Sequence, residues 1–131
     1  MLYISEDKRN KTQTINLTRG DDAVLEVSLK NINSEDFTLG KSDYLIFDVR
    51  VLPRKESKLL LHIESAPGSN RIVFRHDDTA SLKIGEYSAE VQMMTEDGKR
   101  NTVWPKPLGD YKINEKLNRS NFILMPEVVY E

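Results

Sequence analysis

Apolar and polar residues alternate with period two along most of the chain, which is the pattern of strands with one face buried. Ile15 and Leu17 open it and stop at the turn Arg19-Gly20-Asp21-Asp22. Ala23, Leu25, Val27 and Leu29 then face one way, with Val24, Glu26, Ser28 and Lys30 opposite. Asn31 to Ser42 is mostly polar and reads as a long connection. The strongest strand signal runs from Tyr44 to Leu52, with Leu45, Phe47, Val49 and Val51 on one face and Asp48 and Arg50 on a face expected to be wet.

Pro53 ends that strand by removing a backbone donor. Leu59, Leu61 and Ile63 supply the buried side of the next, opposite Leu60, His62 and Glu64. Ala66-Pro67-Gly68-Ser69-Asn70 is a turn, after which Ile72 and Phe74 form a short strand. Asp77 to Leu82 has the length of one helical turn, with an aspartate at its capping position. Gly85 releases the chain into Tyr87, Ala89, Val91 and Met93, and the Asp97-Gly98 pair favours a tight hairpin into Asn101–Trp104. Tyr111 and Ile113 continue the pattern before the polar patch 114–121.

Strands separated by turns every ten residues or so, with no helical apolar stripe, predict an all-β chain. The expected form is an immunoglobulin-like antiparallel β-sandwich with Greek-key connections and at most one short helical turn. Residues 1–131 are expected to form one domain, with 1–11 as a flexible N-terminal arm and 114–131 as a C-terminal extension or last strand. Leu82-Lys83-Ile84-Gly85-Glu86-Tyr87 suggests a corner in which the Tyr87 hydroxyl bonds back to upstream backbone; the alternative is an ordinary buried tyrosine.

Composition narrows the function classes. Hydrophobic residues are 38% and charged residues 31% of the chain, and the formal charge of −2 exerts no pull on nucleic acid or anionic membrane. Without cysteine there is neither a disulfide nor a thiolate metal site. No apolar run is long enough to span a bilayer and the start lacks a secretory pattern, so synthesis in a bacterial or infected-host cytoplasm is expected. The Asn-x-Ser/Thr triplets at Asn10, Asn16 and Asn118 are then incidental.

Candidate chemistry is sparse. His76-Asp77-Asp78 resembles a ligand set, but neighbours on a turn seldom converge on one ion, and helix capping accounts for the aspartates. Phosphate-loop, dinucleotide and nucleophile-elbow motifs are missing, and neither a catalytic residue, a metal nor a cofactor is expected. Arg19-Gly20-Asp21 matches an adhesion tripeptide, although a turn between strands needs a glycine on its own account. Trp104, with Tyr111 close in sequence, suggests a carbohydrate- or surface-binding platform, although a lone tryptophan more often belongs to the core or its rim. The apolar end of the chain, with Phe122, Ile123, Leu124, Met125, Val128 and Tyr130, is either the last strand of its own domain or a segment that pairs with a neighbouring subunit.

The run Ile15 to Leu25, the central strand Tyr44–Leu52, the segment Asp78-Thr79-Ala80-Ser81-Leu82 leading to Gly85-Glu86-Tyr87 and the Asp97-Gly98 hairpin together resemble the N-terminal domain of phage baseplate upper proteins, over residues 12–113. That resemblance implies an immunoglobulin-like sandwich in a virion, often oligomeric, and carries no catalytic residues. Pro105-Lys106-Pro107 and the segment after Ile113 are additions to the family pattern. The expected role is therefore a non-enzymatic tail, baseplate or adaptor component of a phage or prophage particle. Its expected partners are other virion proteins or a homo-oligomer, trimer or larger, with a glycan as the alternative ligand.

Overall fold

The computed structural model describes residues 1–7, 9, 12–29, 38–51, 58–104 and 119–127. They form nine strands and one short helix: β1 (Leu2–Asp7), β2 (Thr12–Thr18), β3 (Ala23–Glu26), β4 (Tyr44–Arg50), β5 (Leu59–Glu64), β6 (Arg71–Phe74), α1 (His76–Thr79), β7 (Gly85–Met94), β8 (Arg100–Trp104) and β9 (Arg119–Met125). The chain is mostly β, as its alternation requires.

Seven strands make one sheet in the order β1-β2-β9-β7-β4-β5, with β8 also paired to β7; β3 and β6 make a second, two-stranded sheet. One edge of β7 belongs to β4. The other is divided: Gly85–Ser88 pair with β9 and Val91–Met94 with β8. The larger sheet is mixed, because β2 and β9 run parallel, Ile15 opposite Phe122 and Leu17 opposite Leu124. This corrects the expectation of purely antiparallel pairing. A chain can bring two distant segments side by side in either sense, since only hairpin-linked neighbours are obliged to reverse.

The two sheets face each other across a ring of phenylalanines. Phe74 of β6 packs edge-on against Phe47 of β4, centroids 5.3 Å apart, and stacks with Phe122 of β9 at 6.3 Å. All three rings are fully buried, with Ile15, Leu17, Leu45, Val49, Ile72, Val91 and Leu124 around them. Asn70 lengthens the smaller sheet by one step, its carbonyl accepting from Val27 N–H at 2.9 Å and its side-chain amide donating to Val27 O at 3.0 Å.

Several expectations need correction. Residues 2–7 of the expected arm form β1, paired antiparallel with β2 from Leu2–Leu17 to Asp7–Thr12. Asn16, buried beneath, donates its amide to Ser5 Oγ at 3.1 Å and so fastens β1 to the sheet. The register of β4 and β5 shifts between Val49 and Arg50, which sets Arg50 opposite Leu59. One extra residue on β5 inverts its alternation there: Leu60 packs against the core and Leu59 faces solvent, while Val51, just past the end of β4, is also exposed. The face carrying Asp48 is not wet, for Ile46, Asp48 and Ser88 are all buried. Their cross-strand neighbours Glu64, His62, Gln92 and Glu90 carry long side chains able to cover them. Finally, Arg75 and not an aspartate is the N-cap of α1; Asp78, in the first turn, reaches back to accept the Arg75 N–H at 2.7 Å.

Candidate functional site

The residues singled out in the sequence fall into four places. The first is the turn after β2. Gly20 adopts φ 80°, and a Cβ on it would lie 3.2 Å from the His76 ring. Its N–H donates to Thr79 Oγ1 at 2.8 Å, and its carbonyl accepts from His76 Nδ1 at 2.6 Å. His76 N–H in turn donates to Asp22 Oδ1 at 2.8 Å. His76 and Asp78 therefore join α1 to the β2–β3 turn and to its own N-terminus, and they do not converge on a common point. Among the described residues, no group of three or more His, Asp or Glu is arranged to hold a metal ion.

Arg19 and Asp21 are engaged within the chain as well. The Arg19 guanidinium forks onto Glu127, Nε at 2.8 Å from Oε1 and Nη2 at 3.0 Å from Oε2. This pairing holds the Glu127 carboxyl below the usual range and raises Arg19 further. Asp21 pairs with the Met1 amino group. An adhesion receptor would have to displace both partners to read the Arg-Gly-Asp tripeptide.

The second place is the β8 edge. Trp104 is half-buried and packs against the core rim, and its Nε1–H donates to Gln13 Oε1 on β2 at 2.6 Å. Gln13 passes the chain on, its amide donating to Glu6 of β1 at 2.6 Å. The indole thus links β8 to β2 and β1 along the sheet. Tyr111, its suggested companion, lies outside the described residues.

The third is β9. Phe122 and Leu124 are fully buried in the core of their own chain, so they have no surface to offer a partner. Ile123 and Met125 are half-buried on the opposite face. The strand sits inside the sheet, bonded to β2 on one side and β7 on the other. The segment thus takes the alternative of a strand in its own domain. Val128 and Tyr130 lie outside the described residues.

The fourth, which sequence reading passed over as an unremarkable strand residue, is His62. Its Nδ1 lies 2.6 Å from Asp48 Oδ1 and its Nε2 2.9 Å from Glu64 Oε2. Carboxylate oxygens only accept, so both ring nitrogens donate and the imidazole is favoured in its charged form. The hydrogen bond to Glu64 raises the His62 pKa most; burial opposes it, and the bond to Asp48 adds a further upward contribution. The signal was the spacing His62-x-Glu64 on β5, which sets both on one face beside Asp48 of β4.

Comparison with protein-family models, with curated proteins and with solved structures returned no match. Among the described residues no helix is long and apolar enough to cross a membrane. Among the exposed large apolar residues, Tyr3 and Ile4 lie on the edge strand β1, at 46% and 53% exposure, and Val24 and Val73 form a cross-strand pair on the outer face of β3–β6.

Proposed function

We propose that the chain is an immunoglobulin-like β-sandwich that works through protein–protein contacts, as a structural or assembly component of a phage or prophage particle. Support for the sandwich comes from the facing of β3–β6 onto the larger sheet and from the parallel pairing of β2 with β9, the last of the described strands. It comes also from the corner in which the Tyr87 hydroxyl donates to Lys83 O. The observation that carries the functional reading is β1. This strand forms an edge of the larger sheet and exposes Tyr3 and Ile4, one on each face. An edge strand of that kind is the element to which a further strand adds by main-chain hydrogen bonds.

Two of the segments that carry the family resemblance are in contact, since the Gly20 N–H donates to Thr79 Oγ1. In this reading the partner is another virion protein or a further copy of the chain, meeting β1 edge to edge. Mass spectrometry of gradient-purified particles from an induced culture of the encoding strain tests it. Recovery of the chain in the particle band at stoichiometric levels, reduced by Ile4→Lys with folding intact, is the expected result. Absence of the wild-type chain from the particles overturns it.

A further inference from the structure

The two-stranded sheet turns Leu25, Ile72 and Phe74 inward and leaves a different set outside. On β3 the outward residues are Val24 and Glu26, preceded by Asp22; on β6 they are Arg71 and Val73, followed by Arg75, and all six are exposed. Val24 lies opposite Val73 and Glu26 opposite Arg71, and the same register continued by one step sets Asp22 opposite Arg75. The face therefore has an acidic column on β3 and a basic column on β6, with one apolar row in the middle.

Such a face is complementary to itself. Under a two-fold axis lying between two copies and parallel to the strands, β3 of one copy covers β6 of the other. Asp22 then meets Arg75, Glu26 meets Arg71, and the four valines close on one another. Packed sheets are rotated by about 30°, which displaces the outer rows by roughly 3–4 Å, less than one strand spacing. Isologous pairing of this kind is the commonest symmetry of protein assemblies. The face carries two acids and two arginines, so its charge cancels, which disfavours an anionic partner and suits a second copy.

We infer that the outer face of β3–β6 pairs with the same face of a second copy of this chain. The inference deepens the assembly reading by naming one partner and the surface it meets. Three rows on two strands cover only about 200 Å² per copy, well below the roughly 800 Å² of a stable interface. Pairing is accordingly weak in dilute solution, with a Kd on the order of 0.1–1 mM. It becomes appreciable where copies are already held close together.

Sedimentation equilibrium up to about 1 mM protein tests the pairing, with thermal melts to show that each variant folds. Glu26→Arg and Arg71→Glu each place like charges across the axis and are expected to weaken self-association about tenfold or more. A mixture of the two single variants restores it, since every charge in the mixed pair then faces its opposite across the axis. The double variant, with the charges of that one row exchanged, pairs with itself as the wild type does. A wild-type chain that stays monomeric throughout the range overturns the inference, and so does association indifferent to both reversals. Neither result bears on the particle test, where incorporation through β1 is read separately.

Discussion

The Tyr87 hydroxyl donates to the carbonyl oxygen of Lys83, four residues earlier, and so closes the corner that leads from α1 into β7. The ring itself is buried and packs 6.4 Å from Phe122. Tyr87→Phe keeps the ring and leaves the Lys83 carbonyl without its donor. Loss of about 1–2 kcal/mol in unfolding free energy is expected from chemical denaturation, with an unchanged denaturant slope. A loss below about 0.3 kcal/mol would show that water replaces the hydroxyl without cost.

Phe122→Ala empties a fully buried site between Phe47, Phe74 and Tyr87, and about 3–5 kcal/mol of stability should go with it. Deleting residues 121–131 removes the strand that joins β2 to β7, and the expected product has no cooperative melt by circular dichroism. A truncated chain that still melts cooperatively would refute the assignment of β9 to the core.

His62 supplies a pH dependence whose sign follows from the raised pKa. A group that binds its proton more tightly when folded stabilises the fold below its unfolded pKa, about 6.5 for histidine, and loses that contribution as pH rises through the folded value. Stability should therefore decline on going from about pH 6 to about pH 8, and His62→Gln should flatten this part of the profile. Proton NMR should find the His62 ring titrating above the ordinary histidine range, with Glu64→Gln lowering it. Glu90, which faces Asp48 from β7, shares the site and makes the replacement of Glu64 the cleaner test.

Trp104→Phe removes the donor to Gln13 and should cost about 1 kcal/mol through the hydrogen bond. In a double-mutant cycle with Gln13→Ala the two losses should not add, because each removes the Trp104–Gln13 bond, Gln13→Ala losing the bond to Glu6 besides. Strict additivity would mean that the indole N–H finds solvent instead. The protein has a single tryptophan, so its fluorescence reports on this edge alone.

Local pattern revealed the elements whose period is uninterrupted. β4 and β7 were legible because each sets a regular row of apolar residues against the core, Leu45, Phe47 and Val49 on one and Tyr87, Ala89 and Val91 on the other, and Gly85 with Tyr87 marked the corner because that motif is local. The failures are places where the deciding contact is remote. Nothing near Phe122 announces that it will lie parallel to Ile15, more than a hundred residues away. β1 escaped detection because five of its six residues are exposed, which leaves little periodicity to read. The exchange of Leu59 for Leu60 depends on a register shift that only pairing with β4 reveals. His62 acquired its partners in the same way, Glu64 from its own strand and Asp48 from the next. Trp104 was noticed for its ring, whereas its tie to Gln13 spans 91 positions of sequence.

Strand β9 lies between β2 and β7 in space but follows both in sequence, as the last of the described strands. During synthesis, β2 and β7 both leave the ribosome before the strand that unites them exists. Until residues 119–125 follow, the nascent chain has a vacant slot flanked by two unsatisfied backbone edges. Domains are made at about 5–20 residues per second, so that slot stays open for a second or more after Met94 is added. Completion of the larger sheet is thus timed by translation, and the slot would accept any β-prone segment of matching pattern that reached it first.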